Sequence, residues 1–286
     1  MTLDRARVRA SFARAARSYE QAAVLQRTVA DELLARFQWV TIDPRRILDV
    51  GTGTGYGLPH LRRRFRKAQV IGLDAALPML GVAKARSGLW RKSPLVAGDG
   101  ERLPLAGDSI DVVYTNLALQ WMDLKTAFTD FHRVLRPGGL LTFSTFGPDT
   151  LKELRAAWAA VDGHAHVHVH SFVDMHDVGD ALVHAGFADP VLDVDRYTLT
   201  YACAADALRD LKRIGAHNAS TGRFGGLTGK RTFQRFVDAY ETLRREGRLP
   251  LTYEVIYGQA WRGVPVSGGG ADVRIPVSMI GGRRPR

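Results

Sequence analysis

The apolar positions change their period along the chain. Over residues 8–37, Phe12, Ala15, Ala16, Tyr19, Ala23, Val29, Leu33 and Phe37 recur at spacings of three, four or near multiples. That spacing predicts one long helix, or two with a break. From residue 46 short apolar runs take over, at 46–50, 69–74, 94–99, 110–116 and 140–146, each readable as a buried strand. Helix-like segments near 57–66, 78–87 and 123–135 separate them. Strands alternating with helices predict an α/β fold, a parallel sheet covered by helices on both faces. The RPGG run at 136–139 predicts a helix stop and a turn into a strand. Further on, the pattern predicts helices over 149–161, 174–185, 204–215 and 231–245, with a histidine-containing loop after the first. An extended segment is expected over 190–201, a glycine-rich loop over 222–229 and a strand over 252–261. Residues 263–286, with SGGG and GGRRPR, can bury little and are expected to be a flexible tail.

Composition narrows the class. An apolar content of 45% with 24% charged residues suits a water-soluble globular protein. No run approaches the ~20 apolar residues of a membrane span. The Arg-rich first twenty residues lack the apolar stretch of a secretory signal and continue into the helical pattern. Cys203 is the single cysteine, which fits a reducing cytoplasm. The net charge of +11 suits nucleic acid, an acidic protein partner or an acidic small substrate, or simply an Arg-rich solvated surface. The basic residues are dispersed, with their densest cluster at Arg62, Arg63, Arg64, Arg66 and Lys67.

The candidate chemistry starts at the first strand, which runs into Asp49-Val50-Gly51-Thr52-Gly53-Thr54-Gly55. Parallel α/β sheets bind ligands at the carboxyl ends of their strands, and glycines there let the backbone approach closely. The dinucleotide pattern G-x-G-x-x-G fits neither register, because Tyr56 and Leu58 stand where its third glycine belongs. The pattern acidic-x-G-x-G-x-G does fit, and it resembles the first motif of class I S-adenosylmethionine (SAM) methyltransferases. Asp74 closes the second strand, Asp99-Gly100 the third and Asn116-Leu117 the fourth. The resemblance implies Asp49 toward the methionine ammonium, Asp74 on the ribose hydroxyls, Asp99 and Gly100 at the adenine, and Asn116 and Leu117 beside the methionine moiety. It implies a Rossmann-like, doubly wound, seven-stranded, mostly parallel sheet. A helical cap would come from the N-terminal helix and from an insertion in the second half.

Other segments narrow the family. FARAARSYEQAAVLQRTVADELL (12–34), NLALQWMDL (116–124), FGPDTLKELRAAW (146–158), FVDMHDVGDAL (172–182), LRDLKRIGAHN (208–218) and GLTGKRTF (226–233) are similar to the malonyl carrier-protein O-methyltransferases of biotin synthesis. The similarity covers roughly residues 8–262. It implies methylation of the free carboxylate of a malonyl thioester, on acyl carrier protein (ACP) or coenzyme A (CoA), with SAM as co-substrate and no metal. The expected organisation is lid helices at 1–38, a SAM-binding core at 39–147, a substrate-side cap with the last strands at 148–262, and the tail.

A carboxylate, with a pKa of roughly 4, is already ionised at neutral pH, so the reaction needs alignment rather than a general base. A cationic or hydrogen-bonding clamp is expected on the malonyl oxygens. Arg209 is the first candidate and Lys212 the second, three residues apart on one helix face; Tyr19 on the lid is another. Gln120 and Trp121, after the fourth strand, are expected on the substrate side. Each also has a plainer reading, as solvated helix face or packed aromatic. His164, His166, His168 and His170 alternate, but no acidic ligand is interleaved, and a zinc site is not expected. GLTGKRT is too short between its glycines for a phosphate loop and reads as a turn before a helix. A quinone C-methylating enzyme and a SAM-binding protein without chemistry are the rival classes. A base-modifying nucleic-acid enzyme would show N-P-P-Y or D-P-P-Y where this chain has TNLALQW. The expected partner is the carrier protein or CoA, with neither nucleic acid nor membrane.

Overall fold

Seven strands build one sheet: β1 (Arg46–Val50), β2 (Gln69–Asp74), β3 (Leu95–Ala97), β4 (Ile110–Asn116), β5 (Leu135–Phe146), β6 (Phe187–Tyr201) and β7 (Leu249–Arg262). Their spatial order is β3-β2-β1-β4-β5-β7-β6, parallel except for β7, which is antiparallel to both neighbours. The computed structural model describes residues 3–87, 92–163, 165–216, 218, 219, 226 and 228–263. His164, most of the expected glycine-rich loop at 222–229 and all but the first residue of the expected tail lie outside these.

Strand side chains alternate between two cores, as a pleated sheet requires. Ile47, Val112, Leu140 and Val255 enter one cluster, and their neighbours Leu48, Val113, Leu141 and Ile256 enter the other. The first cluster is covered by α3 (Val24–Ala35), α4 (Gly57–Arg64), α7 (Lys152–Asp162), α9 (Ala204–Arg213) and α10 (Lys230–Glu241). The second is covered by α6 (Leu124–Val134) and α8 (Met175–His184). α5 (Leu77–Arg86) begins with Leu77-Pro78, where a missing N–H costs nothing. Asp123 caps α6 by accepting from Thr126 N at 2.9 Å, and Asp174 caps α8 by accepting from His176 N at 2.8 Å.

The N-terminal segment differs from one continuous helix. It forms α1 (Arg5–Ala15), the single turn α2 (Tyr19–Ala22), α3 and a 3-10 turn at Arg36–Trp39. Ser18 N bonds Ala15 O in a tight turn, and Ala23, with ψ at 38°, breaks the ladder before α3. The breaks let the segment bend across the carboxyl ends of the strands. At the RPGG run α6 stops at Val134 and a strand follows, as expected, but the run itself lies inside β5 rather than in a turn before it. Ile110 pairs with Leu135 but Val112 with Leu140, so the residues between bulge out, with Gly138 at a φ of 77°. Among the described residues no helix is long and apolar enough to cross a membrane.

Candidate active site

β1 lies between β2 and β4, so successive connections leave it toward opposite sides, and a crevice opens at that switch point. The glycine loop enters it under tight constraint. Gly51 N and Thr52 N both donate to Leu73 O, at 2.8 and 2.9 Å. Gly51 and Gly53 take φ of 72° and 54°, which side-chain-bearing residues avoid. Gly55 serves differently from expectation: it lines neither part of the crevice and instead lets the loop pack on α5, where an added Cβ would stand 2.9 Å from Ala83 Cβ.

Asp74 is the hub of the loop. Its Oδ2 accepts from Gly53 N at 2.9 Å and its Oδ1 from Ala76 N at 2.8 Å. Each oxygen keeps a second lone pair. Burial raises its pKa against these hydrogen bonds. Asp49 is buried and accepts from Thr52 Oγ1 at 2.7 Å. Burial, with the charge of Asp74 adding, pushes it up to about 7.

Two cavities meet here. A cleft of about 520 Å³ is lined by Gly51, Gly53, Asp74, Asp99, Gly100, Asn116 and Leu117, with Arg5, Arg9, Phe12 and Tyr19 contributed by the lid. A small extension of about 50 Å³ reaches Asp49, Gln26, Arg27 and Tyr114. The second cavity, about 320 Å³, is mostly apolar and runs between α7, α9, the start of α10 and the lid. Phe12, Tyr19, Leu117 and Trp121 line both it and the cleft. Tyr19 is the one titratable group among these four. Burial, then the Asp74 and Glu20 carboxylates, hold its hydroxyl well above the usual phenol range, so it stays protonated.

The polar contacts fit an amino-acid nucleoside sulfonium such as SAM. Leu77 on the cleft wall is 67% exposed, an apolar surface suited to a flat ring. In the extension, Gln26 Oε1 and Tyr114 OH are buried without partners, beside the Arg27 cation and the Asp49 carboxyl. Such a mixture suits a zwitterionic end group.

Among the substrate-side candidates, Lys212 lines the apolar cavity, together with Gln120 and Trp121. Arg209 does not. Its guanidinium is exposed and bonds Asp206 at 2.6 Å one turn back, because three residues along a helix put the two side chains side by side. Of the described histidines of this run, His166 and His168 meet edge-on at 6.1 Å. His168 stacks on Trp158 at 3.8 Å and bonds Asp162 at 2.7 Å, while His170 stacks on Trp121 at 5.8 Å. Among the described residues no cluster of three His, Cys, Asp or Glu is placed to hold a metal ion.

Several contacts around the cleft carry no motif. Arg5 of α1 bonds the buried Glu101 and lies 3.9 Å from Asp99, pinning the lid to the loop after β3. Asn116 Nδ2 donates to Gln26 O of α3 at 3.0 Å, and its Oδ1 accepts from Ser144 Oγ at 2.8 Å. Arg5 sits among several arginines of α1 and Gln26 and Arg27 among the polar positions of α3, and only the lid's path singles them out.

This sheet order, with an antiparallel β7 and a glycine loop after β1, is that of class I SAM-dependent methyltransferases. The methyltransferase-domain family model matches residues 48–143. Phosphoethanolamine N-methyltransferase 2 of Haemonchus contortus, solved with S-adenosyl-L-methionine, is similar in fold (TM-score 0.54, 19% identity, 87% of this chain and 56% of that one). So is the 4+2 cyclase SpnF (TM-score 0.51, 19% identity, 83% and 82%), so the fold alone does not name the reaction. Sequence is more specific. Over 268 residues the chain is 53% identical to malonyl-[acyl-carrier protein] O-methyltransferase of Laribacter hongkongensis, covering 91% of this chain and 90% of that protein. The chain belongs to the malonyl-[acyl-carrier protein] O-methyltransferase family.

Proposed function

We propose that this enzyme methylates the free carboxylate of a malonyl thioester on ACP, giving the methyl ester that enters pimeloyl synthesis for biotin. The observation that carries the reading is the junction of the two cavities. Of its four shared residues only Tyr19 titrates, and Tyr19 stays protonated. An acceptor that must lose a proton would find no base among these four residues. A carboxylate arrives ionised and needs only a donor to orient it.

When bound, SAM supplies an electrophilic methyl group on a sulfonium. In this proposal Asp74 accepts from the ribose hydroxyls, Asp99 faces the adenine amino group and Leu77 covers the ring. Asp49 holds the ammonium and Arg27 the carboxylate of the methionine end. Asn116, braced by Ser144 and Gln26, sets the wall beside it. Tyr19 donates to the malonyl carboxylate, and Lys212 adds a cation on the cavity side. Phe12 and Trp121, edge-to-face at 5.4 Å, exclude water from the meeting point. C-methylation of a quinone ring would require proton removal, for which the four shared residues supply no base.

The basic surface suits an acidic carrier. Lys230 and Arg231 are exposed on the first turn of α10, whose Phe233 lines the apolar cavity. The test is methyl transfer to malonyl-ACP beside acetyl-ACP. Ester is expected on malonyl alone; transfer to acetyl, or none to malonyl, overturns the reading.

A further inference from the structure

Two buried polar atoms in the wall of the apolar cavity lack partners: Gln120 Oε1 and His170 Nδ1. Buried polar atoms are nearly always satisfied, so an orphan calls for a ligand or a water. The other end of each side chain fixes its role. Gln120 Nε2 donates to Leu117 O at 2.6 Å, which orients the amide and leaves Oε1 as an acceptor. His170 Nε2 lies 3.3 Å from Gln120 O, and a carbonyl only accepts, so that nitrogen carries the proton. Burial lowers the pKa of the ring and keeps it neutral, and Nδ1 retains its lone pair.

The surroundings hold this pair in place. The His170 ring stacks on Trp121 and meets Phe172 edge-on at 5.1 Å, and its carbonyl accepts from Arg155 Nη1 at 3.3 Å. Two unpartnered acceptors therefore stand in the wall of a mostly apolar cavity, whose other polar side chains include Lys212, Asn218 and Thr228. A carboxylate has no proton to give them. A ligand that satisfies both must bring N–H or O–H donors on an apolar stem. The pantetheine arm has that chemistry, with two secondary amides separated by methylenes. Gln120 also adjoins Trp121, which lines the cleft as well as this cavity.

We infer that Gln120 and His170 are specificity-determining acceptors that read the amide N–H groups of the pantetheine arm. The inference rests on the malonyl-thioester reading above. The arm is common to ACP and CoA, so the shared amide chemistry is what these residues recognise.

The test compares kcat/KM on malonyl-pantetheine with that on malonyl S-ethyl thioester, which has no amide. Wild type is expected to prefer the pantetheine form. His170→Phe and Gln120→Met are each expected to lose about tenfold on malonyl-pantetheine and less than about twofold on the S-ethyl thioester. Equal losses on both substrates, or none on either, overturn the inference. A wild-type measurement avoids any folding defect: N-methylating the amides of the arm should cost about tenfold, and an unchanged rate refutes the assignment. The variants should lose equally on malonyl-ACP and malonyl-CoA; a loss confined to ACP would place the residues at a protein interface and overturn it. Inactivity of wild type toward every malonyl thioester would instead refute the reaction itself.

Discussion

Glu20 of the lid and Arg86 of α5 meet at 2.8 Å across the glycine loop. The same Glu20 oxygen accepts from the Thr54 hydroxyl within that loop, and Arg27 lies 3.6 Å from its other oxygen. One carboxylate thus latches the lid, the loop and α5 over the end of the cleft. Both partners of the ion pair are partly exposed, so the latch is worth little to global stability. It should matter more to ligand retention. Glu20→Ala is expected to weaken SAM binding about fivefold in titration calorimetry with little change in Tm. An unchanged affinity would show that the lid closes without the latch.

The raised pKa of Asp49 has a definite sign. The folded chain holds this proton more tightly than the unfolded chain, whose carboxyl titrates near 4. The stability it contributes is fully present below about pH 4 and is lost as pH rises through about 7. The loss is on the order of a few kcal/mol for ligand-free protein. Denaturant unfolding between pH 4 and 8 should show it in wild type and not in Asp49→Asn. SAM affinity should move the other way, tightening as the carboxylate forms; a flat profile would remove Asp49 from the ammonium site.

Lys212 and Arg209 separate cleanly by experiment. Lys212→Ala is expected to reduce kcat/KM on malonyl-ACP about tenfold, the scale of a partly exposed charge-assisted contact. Arg209→Ala, which breaks only the pair with Asp206, should stay within about twofold. The reverse ranking would return the clamp to Arg209.

Electrostatic steering by the basic surface predicts a steep fall of kcat/KM on malonyl-ACP between low and physiological salt. The uncharged arm of malonyl-pantetheine should show a much shallower dependence. Equal salt dependence on the two substrates would remove the carrier from the account.

Gly258 of β7 pairs with Phe143 of β5, and the ring lies so close that an added Cβ would stand 2.1 Å from its Cζ. Gly258→Ala should cost roughly 2–4 kcal/mol by overpacking. Adding Phe143→Leu should restore part of that, measured as a double-mutant cycle of unfolding free energies. Strict additivity would contradict the contact.

Much of the lining of the cleft was legible in the chain because its residues follow strands at regular intervals. A strand that ends at Asp74 or Asn116 delivers its next side chain to the same edge of a parallel sheet, whatever happens elsewhere. Periodicity therefore determined the α/β class, and the missing dinucleotide glycine separated this loop from a pyrophosphate site. The family segments beyond residue 146 carried the acceptor class. Tertiary structure decided the rest. Arg209 and Lys212 are equivalent along a helix, and only the packing of α9 turns Lys212 toward the cavity while Asp206 holds Arg209. Gln26, Arg27 and Glu20 carry no motif; they come to line the cleft's extension because the lid breaks at Ser18 and Ala23 and bends over the strands. Gln120 and His170 lie fifty residues apart, and their unsatisfied atoms exist only once burial removes water from both. Local spacing encodes what a strand end presents, but burial and long-range contact choose which of many similar polar residues are left facing a ligand.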